Sequence, residues 1–106
     1  MFRRYLIVIA VLVATASLSY AASRHVVGQK GSLFSPGKMT VKAGDVVVFK
    51  NDDGVNHHIY SSTKGQEFNL ETAAPGQEVR HTFPKAGRVD IRCGLHPGMR
   101  LVVNVN

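Results

Sequence analysis

From residue 23 onward the chain consists of short runs rich in β-branched and aromatic residues, separated by Gly, Pro, Asn and Asp, and no helical period lasts longer than one turn. Short strands bury their apolar faces only against neighbouring strands, so this pattern predicts an all-β domain. Strands are expected at about 25–29, 39–42, 45–50, 57–61, 78–83, 88–93 and 100–105, with a short extended piece at 68–70. Seven or eight strands at this spacing predict a Greek-key β-sandwich.

Two segments indicate which side chains face the core. In residues 88–93 apolar and charged side chains alternate strictly, which places Cys93 at the end of a strand on its buried face. Residues 99–105 continue the alternation, with Met99 on the buried face. The loop at 94–98 connects these two core strands, and a short loop on a rigid scaffold is suited to hold ligands.

The first 21 residues have the features of an export signal. An arginine pair precedes an uncharged run, and Ser19 and Ala21 provide small residues at the −3 and −1 positions of a cleavage site. We predict a signal peptide at 1–21 and an exported domain at 22–106, located in the periplasm or outside the cell. An uncleaved N-terminal membrane anchor is the alternative, because weakly apolar residues extend the run to about 18 residues.

The composition excludes several classes of protein. A chain of 106 residues with 44% hydrophobic residues is typical of one globular domain. Removal of the two signal-peptide arginines leaves 11 Lys and Arg against seven Asp and Glu, a net charge of +4. These basic residues form no run and are not interleaved with aromatic residues, which argues against binding to nucleic acid. A basic exported domain is instead expected to meet an acidic protein or an anionic membrane surface.

Cys93 is the single cysteine of the chain, so an exported domain with this sequence has no internal disulfide. A buried inert thiol and a metal-bound thiolate are the two explanations for it. Cys93, His96 and Met99 lie within seven residues, and a second imidazole is available upstream at the adjacent His57 and His58. One thiolate, two imidazoles and a weak thioether are the ligand set of a blue-copper electron-transfer site.

The chain resembles the cupredoxins, and within them the group of plastocyanin, amicyanin and pseudoazurin. The N-terminal half is similar to plastocyanin at 34–36 (Phe-Ser-Pro), 40–45 (Thr-Val-Lys-Ala-Gly-Asp) and 48–51 (Val-Phe-Lys-Asn). Residues 93–99, Cys-Gly-Leu-His-Pro-Gly-Met, are similar to the short ligand loop of amicyanin and pseudoazurin. The resemblance covers nearly all of the exported domain.

The resemblance implies a single copper ion. Its implied ligands are His57, Cys93, His96 and Met99. The first family ligand sits in a His-Asn-aliphatic segment, which is 57–59 here, so His58 stands where Asn is usual. In the family the backbone N–H at the position of His58 points at the copper-bound sulfur.

We therefore expect a carrier of single electrons between redox proteins and not an enzyme, because an axial Met99 leaves no open position for a substrate. His96 is the expected electron exit. Arg92 and Arg100 flank the ligand loop and predict an acidic partner, such as a c-type cytochrome, a reductase or a dehydrogenase. We expect a monomer without a small-molecule substrate. Copper delivery or storage, using the same ligands, is the alternative function.

Overall fold

The computed structural model describes residues 22–106, and the predicted signal peptide at 1–21 lies outside the described residues. The described part of the chain forms nine β-strands and no helix. The strands are β1 (Arg24–Lys30), β2 (Leu33–Ser35), β3 (Lys38–Val41), β4 (Val46–Asn51), β5 (Ile59–Ser61), β6 (Phe68–Asn69), β7 (Glu78–Thr82), β8 (Gly87–Cys93) and β9 (Arg100–Val105). Within residues 22–106 there is accordingly no helix with the length and apolar character needed to cross a bilayer.

The strands form two sheets that pack into a sandwich, which confirms the predicted fold class. One sheet has four strands in the order β2-β1-β4-β7, and the other has five in the order β3-β9-β8-β5-β6. The pairs β1·β4 and β3·β9 are parallel, and the remaining pairs are antiparallel.

The number of strands is one or two higher than the sequence predicted, because β2 was not anticipated. This strand has three residues, too few to show an alternating pattern. It pairs with β1 across the two-residue turn Gly31-Ser32, and both turn residues have positive φ, 61° and 53°. Two positive φ angles define the type I′ turn, whose twist matches that of an antiparallel hairpin.

The predicted alternation in the two C-terminal strands is confirmed. The inward-facing side chains of these strands are at most 4% exposed and lie in the core; they are Val89, Ile91, Cys93, Leu101, Val103 and Val105. Met99, which directly precedes β9, is 1% exposed. The core between the sheets is completed by aromatic residues such as Phe49 and Phe83, which are fully buried.

The strand register brings the predicted site residues to one end of the sandwich. Ile59 at the start of β5 pairs with Cys93 at the end of β8, and Arg92 pairs with Arg100 at the start of β9. The strand predicted at 57–61 begins two residues later than expected. His57 precedes it and forms an isolated bridge to Ala73, with two backbone hydrogen bonds of 3.0 and 2.9 Å.

Candidate metal centre

Three side chains converge at this end of the sandwich with a donor atom each. The Cys93 sulfur lies 3.6 Å from Nδ1 of His57 and 3.6 Å from Nδ1 of His96. All three donor atoms lie within 4.8 Å of one another. Met99 belongs to the same buried cluster as Cys93. The structure thus brings together the thiol and two imidazoles that the sequence singled out, and it buries Met99 in the same hydrophobic core as Cys93.

His57 is held by a carboxylate that sequence reasoning did not assign. The side chain of His57 is fully buried, and its Nε2–H donates to Oδ2 of Asp53 over 2.7 Å. This hydrogen bond favours the tautomer in which Nδ1 carries a lone pair directed toward the sulfur. The backbone N–H of Ser32 is the main cause that lowers the pKa of Asp53, and the bonds from His57 and Gly31 lower it further, against the effect of desolvation. Asp53 therefore acts as an anionic acceptor at neutral pH.

The segment before His57 is ordered by a second buried polar side chain. Asn51 is fully buried, and its Oδ1 accepts the N–H of Asp53 over 2.9 Å. Its amide nitrogen donates to the carbonyl oxygens of Val55 and Ala73 at 2.8 and 2.9 Å. The sequence indicated a turn at 51–56. The one sign in the sequence of a contact between Asp53 and His57 was that the carboxylate lies four residues before the histidine.

The backbone of His58 contacts the sulfur, as the family resemblance implied. Its N–H donates to Sγ of Cys93 over 3.3 Å. Its carbonyl oxygen accepts the N–H of Gly94 over 2.7 Å. These two bonds join the segments that carry His57 and Cys93, and a hydrogen bond to sulfur tunes the electron density of a metal-bound thiolate.

The side chain of His58 points away from the donor cluster. Its Nε2 is hydrogen-bonded to Oδ1 of Asn69, and its ring stacks on Tyr60 with centroids 5.9 Å apart. The ring also covers Gly94, where an added Cβ would lie 2.5 Å from Nδ1 of His58. The imidazole of His58 is thus engaged outside the donor cluster, while that of His57 faces the sulfur.

The ligand loop forms the outer wall of the centre. His96 is half-buried, and its ring centroid lies 4.8 Å from that of His57. The N–H of Met99 donates to the His96 carbonyl oxygen over 3.0 Å, which closes the loop as a tight turn. Leu95 is 52% exposed beside it. His96 is therefore the one donor of the three that reaches toward the surface.

Two histidines, His25 and His81, lie away from this cluster. His25 donates a 2.9 Å hydrogen bond from Nε2–H to Oδ2 of Asp45 at the opposite end of the sandwich. His81 stacks on Phe68 with ring centroids 3.8 Å apart, and burial lowers the pKa of His81. Both are engaged in structural contacts.

The donor set fits a copper ion. In a metal site, a sulfur and a nitrogen can each lie about 2.0–2.3 Å from the same metal ion. Two donor atoms placed in this way are separated by nearly the distance found here between Sγ of Cys93 and each imidazole Nδ1. Thiolate, two imidazoles and a weak thioether match the preferences of copper, and the N–H of His58 and the carboxylate of Asp53 supply the outer contacts expected around such ligands. A β-sandwich with this cluster at one end has the architecture of a cupredoxin.

Comparison with known proteins gives the same class. Residues 22–106 match the copper binding proteins of the plastocyanin/azurin family. The chain is 32% identical over 104 residues to the methylamine utilization protein MauL of Methylorubrum extorquens, covering 88% of this chain and 90% of the relative. It is 30% identical over 90 residues to plastocyanin of Rumex obtusifolius, covering 74% and 91%. A reduced Cu(I) form of an amicyanin variant superposes with a TM-score of 0.73 at 26% identity, covering 83% of this chain and 87% of that one.

The chain therefore belongs to the plastocyanin/azurin family of copper-binding proteins. Its cofactor is a copper ion.

Proposed function

We propose that the protein is an exported type 1 (blue) copper protein that shuttles single electrons between redox proteins. The proposed ligands are Nδ1 of His57, Sγ of Cys93, Nδ1 of His96 and, as a weak axial donor, the sulfur of Met99. The observation that carries the proposal is the 3.6 Å separation of the Cys93 sulfur from each of two imidazole nitrogens. The two histidines come from separate segments of the fold and converge on one thiol.

The rigidity of the centre supports electron transfer. Copper supplies a one-electron couple, and soft sulfur with imidazole nitrogen suits both of its oxidation states. The protein holds His57 through Asp53 and the bridge to Ala73, and it holds Cys93 through the N–H of His58. A cluster fixed in this way changes little with oxidation state, and a small rearrangement favours fast transfer.

Solved structures of similar proteins support a redox cycle at such a site. Amicyanin variants similar to this chain were determined in a reduced Cu(I) form and in an oxidized state, with TM-scores of 0.73 and 0.74. In this chain the half-buried His96 and the exposed Leu95 form the part of the cluster nearest the surface. Electrons would enter or leave there, without chemistry on a bound substrate.

Repeated redox cycling in the presence of a strong Cu(I) chelator tests this function against copper delivery. The copper-loaded protein is reduced with ascorbate and reoxidised with ferricyanide over several cycles, with bathocuproine disulfonate present throughout. An electron carrier keeps its copper and recovers its visible colour after each cycle. Transfer of the copper to the chelator on the first reduction would contradict electron carriage and favour delivery.

A further inference from the structure

The carboxylate of Asp53 collects three hydrogen bonds from two separate parts of the chain. Oδ2 accepts from Nε2 of His57 at 2.7 Å and from the N–H of Ser32 at 2.9 Å, while Oδ1 accepts from the N–H of Gly31 at 2.5 Å. The side chain of Asp53 is 12% exposed and that of His57 is fully buried. One small acid thus links a buried imidazole to the turn between β1 and β2.

The turn that donates to Asp53 has an unfavourable backbone. Ser32 has φ of 53° and is the one non-glycine residue with positive φ among residues 22–106. Left-handed backbone is unfavourable for an L-residue and persists where surrounding contacts determine it. The convergence of the Gly31 and Ser32 N–H groups on one carboxylate supplies such contacts.

Asp53 is itself held in place from within the sandwich. Its N–H donates to the fully buried Asn51, whose amide donates to the carbonyl oxygen of Ala73. The same carbonyl oxygen accepts the N–H of His57 over 3.0 Å. The backbone and the imidazole of His57 are therefore both tied into one network of buried polar groups.

We propose that Asp53 is a positioning residue of the copper centre, which fixes the tautomer and ring orientation of His57 and clamps the β1–β2 turn beside it. An imidazole whose Nε2–H donates to a carboxylate is a stronger donor at Nδ1, and a stronger donor stabilises Cu(II) relative to Cu(I). The clamp accordingly lowers the reduction potential. The inference rests on the proposed function, in which His57 is a copper ligand.

The test compares Asp53→Asn with Asp52→Asn. The two variants remove the same charge one residue apart, but Asp52 is 45% exposed and its carboxylate lies 3.8 Å from the Lys50 ammonium. Asp53→Asn should shift the Cu(I)/Cu(II) equilibrium toward Cu(I) by about 10-fold, or 59 mV for one electron, and Asp52→Asn by less than about 2-fold. Equal shifts in both variants would show a general charge effect and overturn the proposal.

Two measurements without copper separate the clamp from the ligand assignment. In the metal-free protein, ¹⁵N NMR should find His57 as the Nε2–H tautomer, and Asp53→Asn should change the tautomer population and speed amide exchange at Gly31 and Ser32. An Nδ1–H tautomer in the unaltered protein would overturn the clamp even if the variant failed to fold. If Asp53→Asn changes the His57 tautomer and the amide exchange but leaves the Cu(I)/Cu(II) equilibrium unchanged, that result would instead contradict the assignment of His57 as a copper ligand.

Discussion

At the scale of single residues, the adjacent histidines 57 and 58 have separate roles. His57 is fully buried with Nδ1 facing the Cys93 sulfur, whereas the ring of His58 is bound to Asn69 and stacked on Tyr60. Successive side chains of an extended segment point in opposite directions, so both imidazoles cannot reach one metal ion. The backbone N–H of residue 58 donates to the Cys93 sulfur and does not depend on the side chain at this position.

We expect His57→Ala to weaken copper binding and to abolish or greatly weaken the visible band of the Cu(II) protein. His58→Ala should retain the band with an altered potential, because its N–H to the sulfur is kept. Copper titration followed by absorption measures both effects. The reverse result would show that His58 is the ligand.

Gly94 is required by the ring that covers it. A Cβ at this position would lie 2.5 Å from Nδ1 of His58 and 3.4 Å from two ring carbons, so His58 would have to leave its bond to Asn69. We expect Gly94→Ala to destabilise the metal-free protein by about 1–3 kcal/mol, as overpacking does. Chemical denaturation measures this loss.

A second substitution tests the cause of that loss. In the double variant Gly94→Ala with His58→Ala the clash is absent, so most of the destabilisation by Gly94→Ala should disappear relative to His58→Ala alone. If the destabilisations caused by the two substitutions were additive in the double variant, the contact with the His58 ring would not be the reason that a glycine is required at position 94.

At the scale of elements, Asp45 fastens the beginnings of β1 and β4 at the end of the sandwich opposite the metal centre. Its carboxylate accepts the N–H groups of Ser23 and Lys42 at 3.0 and 2.9 Å and is bonded to Nε2 of His25 at 2.9 Å. The hydrogen bond from His25, followed by that from Lys42, lowers the pKa of Asp45 to about 2. The acid therefore stabilises the fold in its ionised form.

This shift predicts a dependence of stability on pH. The folded-state pKa lies below the unfolded value, so the contribution is complete above about pH 4 and is lost as the pH falls toward about 2. Asp45→Asn should have lower stability at pH 7 and should lose less stability than the unaltered domain between these pH values. Thermal unfolding of the metal-free proteins over this range measures it, and identical pH profiles would contradict the role of Asp45.

The strands were predictable to the extent that their pattern is local. The alternation over 88–93 and 99–105 predicted the buried faces of β8 and β9 correctly. These strands have seven and six residues, and charged or polar side chains occupy one side of each, so the alternation is long enough to recognise. β2 has three residues and is specified by its turn and its pairing with β1, which no local alternation reveals.

The donor residues of the centre were recognisable because three of them lie within seven residues of sequence. Their supporting contacts were not, since these depend on which strands become neighbours. Asp53 meets Ser32 across 21 positions, and Asp45 meets His25 across 20. In the sequence, Asp53 belongs to an Asn-Asp-Asp-Gly run that is typical of a turn, and that local interpretation concealed its contact with His57.

At the scale of the whole molecule, basic side chains lie beside the ligand loop. Arg92 and Arg100 are opposite each other on the outer face of the five-stranded sheet. Arg100 donates to Asp90 at 3.1 and 2.8 Å, whereas Arg92 forms no salt bridge within residues 22–106. Because Asp90 partly neutralises Arg100, an acidic partner is expected to be attracted more by Arg92 than by Arg100.

Charge reversal at this position should therefore change docking. Arg92→Glu is expected to slow electron transfer to an acidic c-type cytochrome by about 10-fold at low ionic strength and much less at high salt. Arg80→Glu, on the opposite sheet in β7, makes the same change in net charge and serves as the control. Stopped-flow rates across a salt series measure both, and equal effects would mean that docking does not use this face.

The absorption spectrum of the Cu(II)-loaded protein tests the central claim most directly. If the Cys93 sulfur binds copper together with the imidazoles of His57 and His96, the protein shows an intense visible charge-transfer band from sulfur to copper. Cys93→Ser, with a side chain of similar size in a site that is 2% exposed, should remain folded and lose that band. A protein without the band, or a serine variant that keeps it, would contradict a copper centre built on Cys93.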